Sequence, residues 1–211
     1  MNEGEVQAMG LPDPLTPEDR ARADYYALLA RLYADAPDAS LLRSIAQSGE
    51  LPAAEPAGEP LARAWSMLGV ASAAMDPAAA QEEYQDLFIG VGQSAVSLHA
   101  SAYMPGAGGN ELAEIRGALA RLGLGRRSGV SLYEDHLAAV CETMRVLISG
   151  APGVPPFDVG HQRQFFGMHL GPWVFACCAA IIVCPIANYY RRVAEFTDSF
   201  MAIERDSFGM E

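Results

Sequence analysis

The apolar side chains of this chain recur with the spacing of helices almost throughout. Ala23, Tyr26, Ala30 and Tyr33 lie three or four residues apart, which puts them on one face of a helix with 3.6 residues per turn. Leu137, Val140, Cys141, Met144 and Ile148 form a second stripe of the same kind. No stretch alternates apolar and polar residues as a half-buried strand would. The helix ends are written in the intervening residues. Thr16-Pro17-Glu18-Asp19 supplies a hydroxyl cap, a proline at the first helical position and two acids beside the positive end of the helix dipole. Pro37 ends that helix, and Asp38 can cap another running to about Gln47. Further helices are predicted over 61–75, 77–88 behind the Asp76-Pro77 cap, 111–122, from Ser131, from Asp158 and over 188–203. Ser131-Leu132-Tyr133-Glu134 fits a capping box and so predicts a helix start there, with Asp135 and His136 one turn inside. The expected class is all-α, a single-domain helical bundle of roughly nine to eleven helices.

The interruptions carry as much information. Residues 49–60, GELPAAEPAGEP, and 150–156 read as linkers; residues 1–15 read as a disordered tail before a domain at 16–208. Between Phe88 and Glu111 the periodicity is lost, with glycines at 90, 92, 106, 108 and 109. A long irregular segment inside a compact domain is often functional.

Gln164 to Tyr190 holds no Asp, Glu, Lys or Arg. Its clean apolar stretch, Val174 to Val183, is half the roughly 20 residues a membrane span needs, and His169, Pro172, Pro185 and Asn188 interrupt the rest. A buried central helix without a membrane span is expected, with a membrane anchor as the competing reading. Cys177, Cys178 and Cys184 fall in this region and Cys141 in the preceding helix; no pair has zinc-ligand spacing, so all four read as small buried hydrophobes. The net charge of −12 argues against nucleic acid and favours a cationic partner. Met1 to Gly10 has neither a basic start nor an apolar run, so a cytoplasmic location is expected.

Candidate chemistry is sparse. Asp135 and His136 beside Glu134 could serve as an acid/base pair or as metal ligands with His99 or His169, but neighbours on a helix point about 100° apart. No G-x-S-x-G elbow or phosphate-binding loop is present. No catalytic residue, metal or cofactor is therefore expected, with a helical metal-binding enzyme built on Asp135 and His136 as the alternative. Tyr84, Leu87 and Phe88 cluster at i, i+3, i+4 and run into the glycine-bearing segment with Tyr103; they read either as core or as the apolar wall of a peptide groove.

Three segments, in order, resemble the TorD/DmsD/NarJ family of redox-enzyme maturation chaperones. Glu83-Tyr84-Gln85-Asp86-Leu87-Phe88-Ile89-Gly90 is similar to that family's E-Y-x-x-L-F-x-G, Tyr133-Glu134-Asp135-His136-Leu137 to its E-P-x-D-H-L, and Phe166 to Trp173 to F-x-x-H-L-x-P-W. The proline of the second motif is missing, since the chain reads Leu132-Tyr133-Glu134-Asp135-His136. The resemblance implies an all-α cytoplasmic chaperone, not an enzyme, whose partner is the twin-arginine signal peptide or apo form of a molybdenum or tungsten oxidoreductase. It implies a peptide site lined by Tyr84, Leu87, Phe88 and Tyr103, with Glu134, Asp135 and His136 at its polar edge, and His169 and Trp173 in the core. Monomer and homodimer are both open.

Overall fold

The computed structural model describes residues 15–49, 51, 59–90, 94–104, 110–126, 129 and 131–209. The expected tail at 1–15 and most of the 49–60 linker lie outside them. Nine α-helices are found among the described residues, with no strand: α1 Pro17–Ala34, α2 Ala39–Gln47, α3 Glu59–Ala74, α4 Pro77–Tyr84, α5 Glu111–Arg121, α6 Leu137–Ser149, α7 Val159–His169, α8 Gly171–Val183 and α9 Tyr189–Gly209. Three of the predicted caps form as read, Thr16 accepting from the Asp19 amide, Asp38 from Leu41 and Asp76 from Ala78 and Ala79, and Asp158, where a helix was expected to resume, accepts from His161.

Helix α1 lies along α6, while α9 packs on both α3 and α8. The core between them holds aromatic side chains, most of them with polar tips. Tyr26, Tyr33, Tyr189, Tyr190 and Trp173 are fully buried, as is Phe196. Buried hydroxyls need partners, and these find them. Tyr33 Oη pairs with Thr197 Oγ1 at 2.9 Å, and Tyr189 Oη with Ser72 Oγ at 3.1 Å. Tyr190 and Tyr84 donate to the carbonyls of Leu32 and Tyr33, which lie in the last turn of α1 and have no partner within the helix. The opposite end of the bundle is closed by an ion pair. Arg22 on α1 grips Glu204 on α9 with both fork nitrogens at 2.7 and 3.0 Å, Tyr26 Oη donates to the same carboxylate, and the guanidinium lies over Phe208.

Several boundaries depart from the sequence reading. The predicted helix at 77–88 ends as an α-helix at Tyr84 and continues as a π-helical turn, Gln85–Ile89, in which the Gly90 amide donates to Gln85 O at 2.7 Å. Gly90 has φ +61, which a glycine adopts without strain. Residues 150–156 are no slack linker: Ala151 and Val154 exchange backbone hydrogen bonds, and a Cβ on Gly150 would meet Val154 O at 2.6 Å. Helix α3 begins at Glu59, inside the predicted linker, and α9 runs six residues past Ile203 because Glu204 and Phe208 are anchored in the core.

The uncharged region is two helices rather than one. It breaks at Leu170 ahead of Pro172, and α8 turns Pro172, Ala176, Ala179 and Val183 to solvent. Among the described residues no single helix is long and apolar enough to cross a membrane; α7 and α8 together reach that length but are bent by 54°.

Candidate functional site

The three motifs lie far apart in sequence, and one irregular segment, residues 94–104, joins them. On one side its Val96 amide donates to Leu87 O at the π-helical turn. On the other, Leu137 N donates to Leu98 O and Ala100 N to Asp135 O, so that His99 and His136 face each other as an isolated antiparallel bridge. Tyr103, at the end of its short 3-10 turn Ala100–Ala102, stacks on Trp173 with ring centroids 6.1 Å apart, and its hydroxyl donates to Ser97 O at 2.7 Å.

Helix α6 does not start where the capping box predicts. Ser131 and Leu132 are irregular, Tyr133 to His136 is a turn closed by the His136 amide on Tyr133 O, and the N-cap is His136, whose Nδ1 accepts the Ala138 amide at 3.2 Å. Glu134 is not a cap: it pairs with Arg116 of α5 at 3.1 Å and faces Arg126 at 4.0 Å, so its carboxylate ties the turn to α5. Asp135 and His136 thus lie at the helix boundary rather than one turn inside, where the extended backbone sends their side chains to different partners. Asp135 reaches His99, with 3.0 Å between Oδ1 and Nδ1. Burial pushes the Asp135 carboxyl up, but the hydrogen bonds of His99 and Ser101 outweigh it and hold the group below the usual carboxylate range.

Burial lowers the His136 imidazole to about 4, with His99, 5.0 Å away ring to ring, adding to the effect and Asp135 opposing it. A neutral ring suits its capping role, since only an unprotonated Nδ1 can accept. The linkage has a definite sign. Between pH 6.5 and about 4 the unfolded chain binds a proton at this position that the folded chain refuses. Stability from this group is complete above pH 6.5 and is lost as pH falls, at up to about 1.4 kcal/mol per pH unit. His136→Asn keeps a cap acceptor and is expected to flatten that part of the profile, as read by urea titrations at pH 7 and pH 5; an unchanged slope would place the titration elsewhere.

The remaining site candidates divide by exposure. Tyr84 and Leu87 are buried, while Phe88 is half-buried between Tyr33, Tyr84 and Tyr190, with the Tyr190 ring 4.9 Å away. Tyr103 and Glu134 are also half-buried. Around them Ile89, Tyr133 and Ser101 are exposed. His169 and Trp173 belong to the core, the indole donating to His169 O at 2.7 Å.

Sequence reasoning named His99 only as a possible metal ligand and missed the role of Glu83. His99 turns out to be Asp135's hydrogen-bond partner, a contact across 36 positions that no local pattern signals. Glu83 accepts the amides of Asn188, Tyr189 and Tyr190 at 2.8, 3.0 and 2.8 Å, capping the start of α9 from a different helix. Among the described residues no three His, Cys, Asp or Glu side chains come together as a metal would need. Burial raises the thiols of Cys141, Cys177 and Cys178, which keeps them protonated and unreactive.

Residues 53–179, more than half of the chain, match the family described as nitrate reductase delta subunit. The chain belongs to that family. Its members are chaperones of molybdoenzyme maturation, and family chaperones bind the partner nitrate reductase subunit. The match runs from α3 into α8 and so contains all three motifs and the segment that joins them. No curated protein matches the chain.

Proposed function

We propose that this delta-family protein is a non-catalytic cytoplasmic chaperone that binds the twin-arginine signal peptide of an immature molybdenum or tungsten oxidoreductase and holds the enzyme until its cofactor is in place. The observation that carries this reading is the convergence of the three motifs on segment 94–104, which sets half-buried aromatic rings beside a polar edge. Phe88 and Tyr103 offer apolar surface for the hydrophobic part of a signal peptide, and Glu134 marks the rim, with Asp135 and His136 buried beneath it. Tyr84 and Leu87 lie behind Phe88 and are reached only if the π-helical turn shifts; such turns interrupt regular helix geometry and recur at functional sites.

Calorimetric titration with a twin-arginine signal peptide tests the reading. Binding is expected, about tenfold weaker for Phe88→Ala, whose ring is accessible, and weaker again for Asp135→Ala, which releases His99 and the segment it holds. Absence of binding, together with a pull-down that recovers no molybdoenzyme, would overturn it.

A further inference from the structure

The 3-10 turn of segment 94–104 has a second side. Ala100 and Met104 form one wall of a void of about 10 Å³, closed by Glu111, Glu114 and Ile115 of α5 and by Met168 and His169 of α7. That is room for about one water molecule. Glu111 is only 4% exposed, yet its Oε1 has no hydrogen-bond partner. A buried carboxylate oxygen left unpaired is costly, and the local structure does not redeem it. Glu111 is the first residue of α5, where an acid could cap free amides, but that oxygen accepts none, and Asn110 at the cap position makes no side-chain cap bond either.

Among the described residues no ion pair to Glu111 is found. His169, which lines the same void, is buried, and burial lowers its imidazole, with Arg121 adding to that and Glu114 opposing it, so the ring is neutral at pH 7. Arg116 is committed to Glu134. Glu114, one turn along α5 and exposed, has only a 3.4 Å contact from Asn110 Nδ2. The other acids around the turn are all engaged, Asp135 with His99 and Glu134 with Arg116. Glu111 is buried with an oxygen that no donor satisfies.

We infer that Glu111, with Glu114 at the rim, is the subsite that takes the guanidinium of a client arginine, whereas Asp135 is a positioning residue that shapes the loop beside it. The inference rests on the peptide-binding reading and gives it a place for the charge. Met104 and Met168 are the movable walls. Met168 is half exposed, and unbranched thioether chains repack at little cost, so a flat guanidinium can displace them and reach the carboxylate. The gain is a charge-assisted, two-pronged hydrogen bond to a group already stripped of water.

The test is a cycle of calorimetric titrations on the full chain, using a twin-arginine signal peptide and the same peptide with both arginines replaced by citrulline, which keeps shape and loses charge. Wild type is expected to prefer the arginine peptide at least tenfold. Glu111→Gln is expected to bind both peptides alike, and to melt no lower than wild type because it removes an uncompensated charge. Glu114→Gln, an exposed change with little risk to folding, is expected to reduce the preference about threefold. A full preference retained in both variants would overturn the subsite and leave the chaperone reading standing. Wild type that binds neither peptide would overturn the reading, and the subsite with it.

Discussion

Replacing Glu204 by alanine is expected to lower the free energy of unfolding by about 3–5 kcal/mol, the range for removing one partner of a buried ion pair. Glu204 is 2% exposed and receives three donors: two nitrogens of Arg22 and the hydroxyl of Tyr26. Truncation leaves the guanidinium pressed against Phe208 with Asp19, 3.0 Å from Nη1, as its remaining acceptor, and a fully buried phenol with none. Tyr26 reports the same arrangement. Burial first, and then the neighbouring Glu204 charge, raise its ionisation well above the ordinary tyrosine value, so it remains a donor at every accessible pH. Urea titration reads the loss as a lower midpoint with an unchanged slope. The double substitution Arg22→Met with Glu204→Leu should recover the part of it that comes from the stranded guanidinium, because an apolar pair of similar volume avoids the desolvation that the ion pair must offset, while the Tyr26 hydroxyl still lacks its acceptor. A loss below about 1 kcal/mol in the single variant would mean that the pair behaves like a surface contact.

Glu83→Ala comes second, with an expected loss of about 2–3 kcal/mol. One carboxylate accepts all three amides at the start of α9, each a charge-assisted bond, at the positive end of a 21-residue helix. An ordinary cap substitution costs about 1 kcal/mol; here three amides lose their acceptor at once. Glu83→Gln retains an acceptor without charge and should lose about half as much. The comparison also separates two roles within one motif. If Glu83 contacted a client directly, its loss would weaken peptide binding with little change in the melting temperature. As a cap, its loss lowers the melting temperature first.

The elements governed by neighbouring residues were legible from sequence. Thr16, Asp38, Asp76 and Asp158 cap the amides two or three positions on, and periodicity alone identified the buried faces of α1 and α6. What could not be read was set across long separations. Ser131 and Glu134 satisfy the pattern of a capping box, but Glu134 is drawn to Arg116 and Arg126 on another element, so the helix begins at the next available acceptor, the His136 ring. The π-helical turn likewise has no signature of its own, since it depends on where Leu87 and Phe88 must sit against Tyr33 and Tyr190. For the site, the sequence indicated Asp135 correctly as a residue of consequence but could not show that His99 already occupies it. Glu111, an acid in the first turn of a helix, reads as ordinary surface until its burial is seen.

The clasp between Arg22 and Glu204 joins residues 182 positions apart. Contacts of that separation close only after the loop entropy of everything between them has been spent, and they tend to set the pace of folding. During synthesis at roughly 5–20 residues per second, α1 waits many seconds beside the ribosome with Arg22 paired only to Asp19 and Tyr26 without its acceptor. Until residue 204 has been made, this helper of another protein's folding is itself an unfinished chain in need of shelter.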